Sequence, residues 1–526
     1  MHTRISQAAD KMMEAIVLVA ALSIPAFFNP YSARVFEGEK VSLLRALAAI
    51  AATAWLIRHL EGRGSGWLPS SFYLRKQPVI LAALLTGLVT TIAGFTSITP
   101  RLTLWGSYQR GQGTITTLGY LVLFFATVTT FANPDRRRRL VTALLVASGP
   151  VAIFAIIQYA GLNPVPWRSL DPSRVFGTLS NPIFLGAYLV MVIPLTLAQI
   201  ARCRFATQGV RWSGLSAYVL LLVLQLAAAV FSGSRGPLIG IVAGVFLFVF
   251  LLALLSWRRR FAAGLLSILV LGLVFLIVFS LPNTPLAQLR DVPVLERFGQ
   301  GLGGGSGRVR VLIWQGVVER FAGEPTRLAL GYGPESTHAA LLATFQPELR
   351  HLEPERLPDR AHNVFLEALV TTGLVGAASV VLLFAALFYT GLRALGWMSS
   401  ARSRSQWLAL TAAGIALGLV VPRLVEGNWT FAGVGVGLGL TASLGVYLVL
   451  CLWRSGPGGG PALSDRSILV AGILAALAGH LVEITVGIRV TATESLFWVL
   501  AGLLVTLSIS DFGFRIVEEK SEIRNP

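Results

Sequence analysis

Apolar runs of about 20 residues, the length that an α-helix needs to cross a bilayer, recur from one end of this chain to the other. Only 13% of the 526 residues are charged, about half the share that is usual in soluble domains. Because backbone groups in lipid must be paired internally, helices are the expected spanning element. The sequence therefore predicts an all-α, polytopic integral membrane protein.

The predicted spans divide the chain into three parts. Residues 1–281 hold helices 1–9, residues 282–361 form one large polar loop, and residues 362–526 hold helices 10–14, which makes about 14 spans. The first run follows Arg4 and Lys11, as in a signal sequence, but no convincing cleavage site follows it, so we interpret it as a retained span. The spans are predicted at residues 12–28, 41–57, 79–98, 114–132, 140–160, 183–201, 214–231, 237–255, 263–281, 364–392, 407–421, 431–453, 467–481 and 495–510.

Basic residues in the short loops predict the orientation. The net charge is +18, and in a membrane protein such an excess marks cytoplasmic loops rather than a nucleic-acid partner. We therefore expect both termini and the arginine-rich loops in the cytoplasm, and the loop at 282–361 outside it. Arginine clusters occur in alternate short loops, at residues 58–76, 136–139, 202–211, 258–260, 393–404 and 454–466.

The long polar loop contains helical patterns of its own. Residues 308–321 alternate apolar and charged side chains at helical spacing, which predicts an amphipathic helix lying on the membrane. The glycine-rich residues 300–307 before it indicate a flexible hinge. Residues 331–334 (GYGP) predict a turn, followed by a short helix at 335–345.

Two polar motifs of the first half fall on the predicted outer side. Residues 106–113 (GSYQRGQG) combine Arg110 with glycines that allow close backbone approach; the alternative is a turn with a snorkelling arginine. Asn181 and Pro182 form a favourable helix start, since asparagine caps helices and proline suits the first turn. Capping explains that pair but not the Gly-Thr at 177–178.

Three arginines are candidates for binding an anion. Arg235 lies in a very short connection between two apolar helices, where a charge is costly and is usually functional or paired. Its guanidinium can bind a phosphate bidentately, and the helix that begins at Pro237 offers free N–H groups to the same anion. Arg308 and Arg310 open the amphipathic helix; the alternative for them is a basic face resting on lipid headgroups.

His362 and Asn363 end the polar loop and open the next apolar helix. An imidazole titrates near pH 6.5 and can take a proton from a hydroxyl, which makes His362 the candidate catalytic base. The alternative is a helix cap or a structural hydrogen bond. His338 and His351 lie in the same loop and are rival candidates.

A metal site has little support in the sequence. Glu37 and Glu39 resemble the paired carboxylates that hold a divalent cation on a diphosphate. Arg34 and Lys40 flank them and can neutralise them instead. We expect neither a metal nor a cofactor.

Taken in order, six short motifs resemble the O-antigen ligase and polymerase superfamily of membrane glycosyltransferases, and the resemblance extends over roughly residues 99–376. Each motif is common by itself, whereas the ordered series is fairly specific. The motifs are YQR at 108–110, GTLSNP at 177–182, SRG at 234–236, Arg310 with Trp314, GYG at 331–333 and HNxFL at 362–366.

The resemblance implies a GT-C-like fold and a multi-pass enzyme of the bacterial cytoplasmic (inner) membrane. Such enzymes move a glycan from an undecaprenyl-diphosphate carrier to an acceptor hydroxyl on the extracytoplasmic face. The acceptor stays open, since the family includes ligases to a lipid, polymerases of a glycan and enzymes that glycosylate proteins. His362 would activate the acceptor without metal, and attack opposite the diphosphate would invert the anomeric centre. The residues implied to bind diphosphate or substrate are Arg110, Asn181, Arg235, Arg308, Arg310 and Asn363.

A transporter or flippase of lipid-linked saccharides is the alternative class. It too would need arginines for the diphosphate. It would place charges inside the spans near the bilayer midplane, often at broken helices. Nearly all charges of this chain lie at predicted helix ends, which favours the enzyme.

Overall fold

The computed structural model describes residues 4–61, 77–163, 165, 174–205, 210–280, 305–353, 357–454 and 463–522. Over these ranges the regular structure is helical and contains no strand, so the all-α prediction is confirmed. The helices are α1 Arg4–Ala26, α2 Glu37–Glu61, α3 Pro78–Phe95, α4 Pro100–Trp105, α5 Thr114–Thr130, α6 Pro134–Tyr159, α7 Pro182–Arg204, α8 Trp212–Ser232, α9 Arg235–Leu255, α10 Arg259–Ser280, α11 Ser306–Gly323, α12 Thr337–Leu341, α13 Glu348–Leu352, α14 Val364–Ala394, α15 Ala401–Glu426, α16 Ala432–Arg454, α17 Asp465–Ile484 and α18 Thr491–Glu522.

Eleven helices of the described ranges are long and apolar enough to cross a membrane. Each of the predicted spans coincides with a helix, but α1, α5 and α10 are not among these eleven. Helix α5 is apolar but has only 17 residues. The count of 14 spans is therefore not confirmed. The eleven are α2, α3, α6, α7, α8, α9, α14, α15, α16, α17 and the Thr491–Ile509 part of α18.

Ion pairs join the helix ends that carry the arginine clusters. Asp10 of α1 binds Arg58 of α2 at 2.9 Å and Arg136 of α6 at 2.6 Å. Arg202 of α7 binds Asp465 of α17 at 3.4 Å. Arg138 of α6 lines one pocket with Arg202 and Asp465, which connects these groups. The helix ends therefore form one face, which we call the basic end. The described part of the long polar loop, residues 305–353 and 357–361, lies at the opposite face, which we call the loop end.

Helix α17 is buried on nearly all sides and packs between α7 and α9. Glycines allow this contact: a Cβ added to Gly479 would lie 2.6 Å from the carbonyl oxygen of Gly240. Small residues are typical of helix contacts in lipid, because close backbone packing replaces the hydrophobic effect there. The contact places Glu483, in the last turn of α17, against the first turns of α9, which begins at Arg235.

Helix α11 coincides with the amphipathic helix predicted at 308–321, but protein rather than lipid covers its apolar side. Trp314 is fully buried, and its indole N–H donates to the carbonyl of Ala361 at 2.8 Å. The helix predicted at 335–345 is shorter, with α12 followed by a 3₁₀ turn, and most of the predicted hinge lies outside the described residues. The side chains that pack with Trp314 come from α11, the loop, α14 and α16, and include Val317, Phe321, Tyr332, Leu366, Val370 and Phe431.

Helix α14 is broken at Gly373, where φ is 69° and ψ is −167°. The loop segment 328–333 lies along the break and supplies the hydrogen bonds that the helix loses there. Three backbone bonds connect the segments: Tyr332 N–H to Val370 O, Gly333 N–H to Thr371 O and Leu374 N–H to Leu328 O, each at 2.8 Å. The loop is therefore joined to the helix that follows it by main-chain bonds as well as by side chains.

We expect Gly373→Ala to destabilise the protein strongly. A Cβ at this position would lie 2.2 Å from the carbonyl oxygen of Ala329, in addition to the ~1–2 kcal/mol that a left-handed backbone costs a residue with a side chain. Gly427→Ala is the matched control, because Gly427 also has a positive φ but no atom within 4 Å of an added Cβ. Thermal unfolding in detergent should show a much larger loss for Gly373→Ala; equal losses would contradict the close approach.

Candidate active site

Four of the residues predicted from the sequence meet at the loop end. The charges that act on His362 come mainly from Arg310, Asp359 and Arg110. The positive charge of Arg235, at the start of α9, lowers the pKa of Arg310. Residues from α11, the segment before α5 and the loop before α14 thus surround the imidazole, and Arg235 of α9 joins this group through Arg310.

The backbone of His362 is held in an unusual conformation. Its φ is 52°, a left-handed value that costs a non-glycine residue ~1–3 kcal/mol and that often occurs at functional sites. The flanking residues hold it in place: the Ala361 N–H donates to the Glu367 carboxylate at 2.7 Å, and the Ala361 carbonyl accepts from Trp314. Asn363, on the other side, caps α14. The position of the imidazole is therefore determined by the fold.

The environment of His362 keeps its imidazole neutral. Burial and then the positive charge of Arg310 lower the pKa of His362 to about 3, against the opposing effect of Asp359. The buried Nδ1 has no hydrogen-bond partner in the described structure. A neutral imidazole is the form that accepts a proton. It is a weak base as long as no anion offsets the arginines beside it.

Both candidate asparagines cap helices, which is the alternative that the sequence left open for them. The side-chain oxygen of Asn363 accepts from the N–H groups of Phe365 at 3.0 Å and Leu366 at 2.9 Å. Its amide nitrogen donates to the carbonyl of Thr485 at 2.7 Å. Asn181 accepts from the N–H of Ile183 at 2.9 Å. These bonds account for both residues without a substrate.

Arg308 is not brought into the cluster. It lies at the exposed start of α11, and its guanidinium binds both carboxylate oxygens of Glu348 in α13, at 2.9 and 2.6 Å. Arg310, two residues later, points to the other side of the helix. Burial lowers the pKa of the Arg310 guanidinium, and Glu483 opposes that shift while Arg235 adds to it. The Nε of Arg310 is buried and has no hydrogen-bond partner in the described structure.

Arg110 binds a carboxylate next to the catalytic candidate. Its Nε donates to Asp359 at 2.8 Å, and its guanidinium lies 5.4 Å from the ring centroid of Phe184. Burial raises the pKa of Asp359, but the positive charges of Arg110 and Arg360 bring it below its ordinary value. Arg110 is therefore placed by an ion pair three residues before His362 rather than snorkelling to the membrane surface.

A buried ion-pair network holds the loop segments together. Arg360 binds Glu335 and, at 3.3 Å, Glu367. Glu335 also accepts from the N–H groups of Ser107 at 3.2 Å and Gln112 at 3.1 Å. Burial raises the pKa of Glu335, but the charge of Arg360 and the hydrogen bonds from Arg360 and Ser107 outweigh this effect. The net pKa lies below the ordinary value, so Glu335 stays ionised. The network ties the 106–113 motif, the turn after Gly333 and the first turn of α14 into one frame around His362.

Glu483 is an ionisable residue of the site that the motifs of the sequence do not include. It is fully buried, and neither of its carboxylate oxygens has a hydrogen-bond partner in the described structure. The Nδ1 of His480 lies 3.5 Å from its carboxylate. Glu483 also acts electrostatically on Arg310. An ionisable residue within a membrane helix is a sign of function, and this was the one signal in the sequence that pointed to it.

The structure gives Glu37 a different role from metal binding. Its carboxylate accepts from the N–H and the hydroxyl of Thr491, at 3.2 and 3.0 Å, and so joins α2 to α18. Lys40 does not neutralise it by a direct bond, because its amine donates to the carbonyls of Ile24 and Pro25. Within the described ranges, no group of three or more His, Cys, Asp or Glu residues is placed to hold a metal.

A comparison with protein families finds a match to the family described as O-Antigen ligase over residues 217–381. This stretch contains Arg235, Arg310 and His362, whereas Arg110 and Asn181 lie before it. A comparison with curated proteins finds no match. Residues 217–381 are thus similar to the O-antigen ligase family, which supports the resemblance that the ordered motifs indicate.

Proposed function

We propose that the protein transfers a glycan from an undecaprenyl-diphosphate carrier to an acceptor hydroxyl on the extracytoplasmic face of the bacterial cytoplasmic membrane. The observation that carries this proposal is the meeting of a neutral imidazole with a group of arginines at one end of a helix bundle. His362 takes the part of the base, and Arg110, Arg235 and Arg310 take the part of the anion site.

The arginines supply what a diphosphate leaving group needs. Negative charge grows on the bridging oxygen as the glycosidic bond breaks, and fixed guanidinium groups at a low-dielectric edge stabilise that charge without reorganising. The unpartnered Nε of Arg310 is available for such a contact.

His362 receives the proton of the acceptor. A bond forms between the acceptor oxygen and the anomeric carbon, and the bond from that carbon to the diphosphate breaks with both electrons leaving on undecaprenyl diphosphate. The proton of the hydroxyl passes to His362. Because a bound diphosphate offsets Arg310 and Arg110, donor binding itself raises the pKa of the imidazole and strengthens the base. Attack from the face opposite the diphosphate inverts the anomeric centre.

Two features of the fold bear on the transporter alternative. Broken helices and buried ionisable residues are typical of transporters, and α14 is broken at Gly373 while α17 carries the buried Glu483. The loop backbone closes the break, however, and Glu483 lies in the last turn of its helix, so both stay at the loop end. A site confined to one face supports transfer better than transport.

The purified protein should release undecaprenyl diphosphate from an undecaprenyl-diphosphate glycan only when an acceptor is present, with lipid, glycan and protein hydroxyls tested in parallel. We expect the reaction to survive EDTA, because guanidinium groups supply the charge stabilisation. Loss of activity in EDTA with rescue by a divalent cation would overturn the metal-free mechanism and bring back Glu37 and Glu39 as ligands. Movement of the lipid across vesicles without release would favour the flippase.

The orientation predicts which sites an impermeant thiol reagent reaches. In a background with Cys203→Ser and Cys451→Ser, we expect Ser306→Cys at the loop end to be labelled in intact spheroplasts. Ser405→Cys at the basic end should stay unlabelled until the membrane is opened; both serines are exposed. Labelling of the Ser405→Cys protein alone would place the site on the cytoplasmic face.

A further inference from the structure

A cavity of about 120 Å³ lies beside His362, between α3, α5, α14 and α18. A single water needs only ~10–15 Å³ on this measure, so the space is large enough for part of a substrate. From His362 and Arg489 near the loop end, the cavity extends along the helices to Thr86 and Ser379. We call it the acceptor cavity.

The wall of the acceptor cavity is rich in hydrogen-bond acceptors. Four hydroxyl groups that line it donate their own hydrogen to a carbonyl of the same helix, so that their oxygens remain as acceptors towards the cavity. Such a wall complements a ligand that brings many O–H donors. The four groups are Thr86 to Ala82 O at 2.9 Å, Thr371 to Glu367 O at 2.7 Å, Thr372 to Ala368 O at 2.8 Å and Ser379 to Gly376 O at 2.7 Å.

Three residues that line the acceptor cavity carry a buried polar atom without a hydrogen-bond partner in the described structure. These atoms are the hydroxyl oxygen of Tyr120, the Nδ1 of His362 and the carboxylate oxygen of Glu494 that lies 3.5 Å from the Nε of Arg489, an ion pair too long for a hydrogen bond. Tyr120 and Glu494 are themselves almost fully buried, with 3% and 5% of their surface exposed. Buried polar atoms are nearly always satisfied by protein or by a bound molecule, so three of them on one cavity indicate an occupant with several polar groups.

The charges of the acceptor cavity argue against the diphosphate as that occupant. Arg110, Arg235 and Arg310 do not line it. The two arginines that do are already engaged: Arg360 binds Glu335 and Glu367, and Arg489 lies 3.5 Å from Glu494. The carboxylates of Glu335, Glu367 and Glu494 outnumber the two arginines in the wall, which disfavours binding of an anion. His362 connects the cavity with the anion site, because it lines the cavity and its pKa is lowered by Arg310 and Arg110.

We propose that the acceptor cavity binds a saccharide acceptor, with Tyr120 and Glu494 holding hydroxyls of the sugar while His362 takes the proton from the hydroxyl that attacks. The inference rests on the proposed function. It commits the acceptor to a polyhydroxylated group, since a serine or threonine of a protein brings one hydroxyl and would leave the other polar atoms unpaired. The donor glycan then enters from the side of the arginines.

Tyr120→Phe and Glu494→Gln test this assignment in the full-length protein, with KM measured separately for donor and acceptor. We expect the acceptor KM to rise ~3–10-fold for Tyr120→Phe and ~10–100-fold for Glu494→Gln, as expected for lost neutral and charged hydrogen bonds. The donor KM should change by less than about twofold. Tyr218→Phe, near the basic end, is the matched control and should leave both values unchanged.

The two variants differ in their risk to folding. Glu494 also accepts from the indole N–H of Trp498 at 3.2 Å. The Tyr120 hydroxyl has only a weak contact with Thr491 to lose, so the Tyr120→Phe protein should unfold close to the wild-type temperature. A raised donor KM would assign the cavity to the donor glycan and overturn the inference. Unchanged values for both substrates would mean that the cavity holds only water, which also overturns it. Absence of any transfer by the wild-type protein would refute the proposed function itself.

Discussion

His362→Ala should lower glycan transfer by roughly 10²–10⁴-fold, the usual contribution of a positioned acid–base group. The protein should stay folded, because the frame around the site rests on Arg360, Glu335 and Glu367 rather than on the imidazole. It should also still bind the lipid donor, since arginines carry the anion site. The rate of undecaprenyl-diphosphate release with a saturating acceptor measures the effect, and donor binding to the same preparation measures what remains.

His351→Ala is the matched control for this prediction. His351 lies in the same loop on α13 and is exposed, so its loss should leave transfer near the wild-type rate. His338, on α12, is the other rival in the loop. Near-normal transfer by the His362→Ala protein would move the role of the base to one of these two histidines.

The pH dependence of the same reaction separates the free from the donor-bound protein. In the free protein the pKa of His362 is lowered to about 3, so the imidazole stays unprotonated down to about that pH. We therefore expect kcat/KM to stay level from about pH 8 to about pH 5. In the donor complex the negative diphosphate favours the imidazolium, so kcat should begin to fall at a higher pH. Parallel profiles for kcat and kcat/KM would contradict the coupling between donor and base.

Arg310→Ala should lower transfer by about 10²–10³-fold, comparable to the loss of one fixed donor to a developing oxyanion. Arg308→Ala is its control on the same helix. The sequence gives the two arginines equal weight, but Arg308 is exposed and bound to Glu348, whereas Arg310 is turned towards Arg235 and Glu483. We expect Arg308→Ala to transfer within about twofold of the wild-type rate; equal losses in both variants would place the diphosphate on the outside of α11.

Arg235 provides a second test of the anion site. Arg235→Lys keeps the positive charge but loses the planar fork that binds two phosphate oxygens at once. We therefore expect a substantial loss of turnover from this substitution, measured by the same release assay. A folded Arg235→Ala protein with full activity would remove Arg235 from the mechanism.

Local patterns in the sequence predict the parts of this site that depend on neighbours along the chain. Apolar runs predict the helices, and Asn363 before an apolar run predicts a cap, because each needs only a few adjacent residues. The phase of α11 is different: which of Arg308 and Arg310 faces inwards depends on the helices that pack against it. An amphipathic pattern alone therefore led to a membrane-lying helix, whereas the fold buries Trp314 in protein.

Residues whose partners are distant in the sequence escaped prediction altogether. Tyr120 is a polar residue within an apolar run and Glu494 lies just before the last run, and only the fold brings both to the same cavity as His362. Glu335 and Arg360 are 25 residues apart, and the residues around each of them do not indicate that the two form an ion pair. Without such a pattern, an isolated charge in a membrane segment indicates function but not which function.

The break in α14 also constrains how the chain is assembled. The carbonyls of Val370 and Thr371 and the N–H of Leu374 are paired with the loop, which the ribosome makes before α14. Entering the bilayer without the loop, the helix would expose these groups unpaired, at a cost of about several kcal/mol each. With the loop outside the cytoplasm, as proposed, it crosses the membrane first and stays incompletely folded there until α14 arrives. Insertion of the helix and folding of the loop are then coupled during biogenesis. The stability of a membrane helix depends in this way on a polar segment made before it.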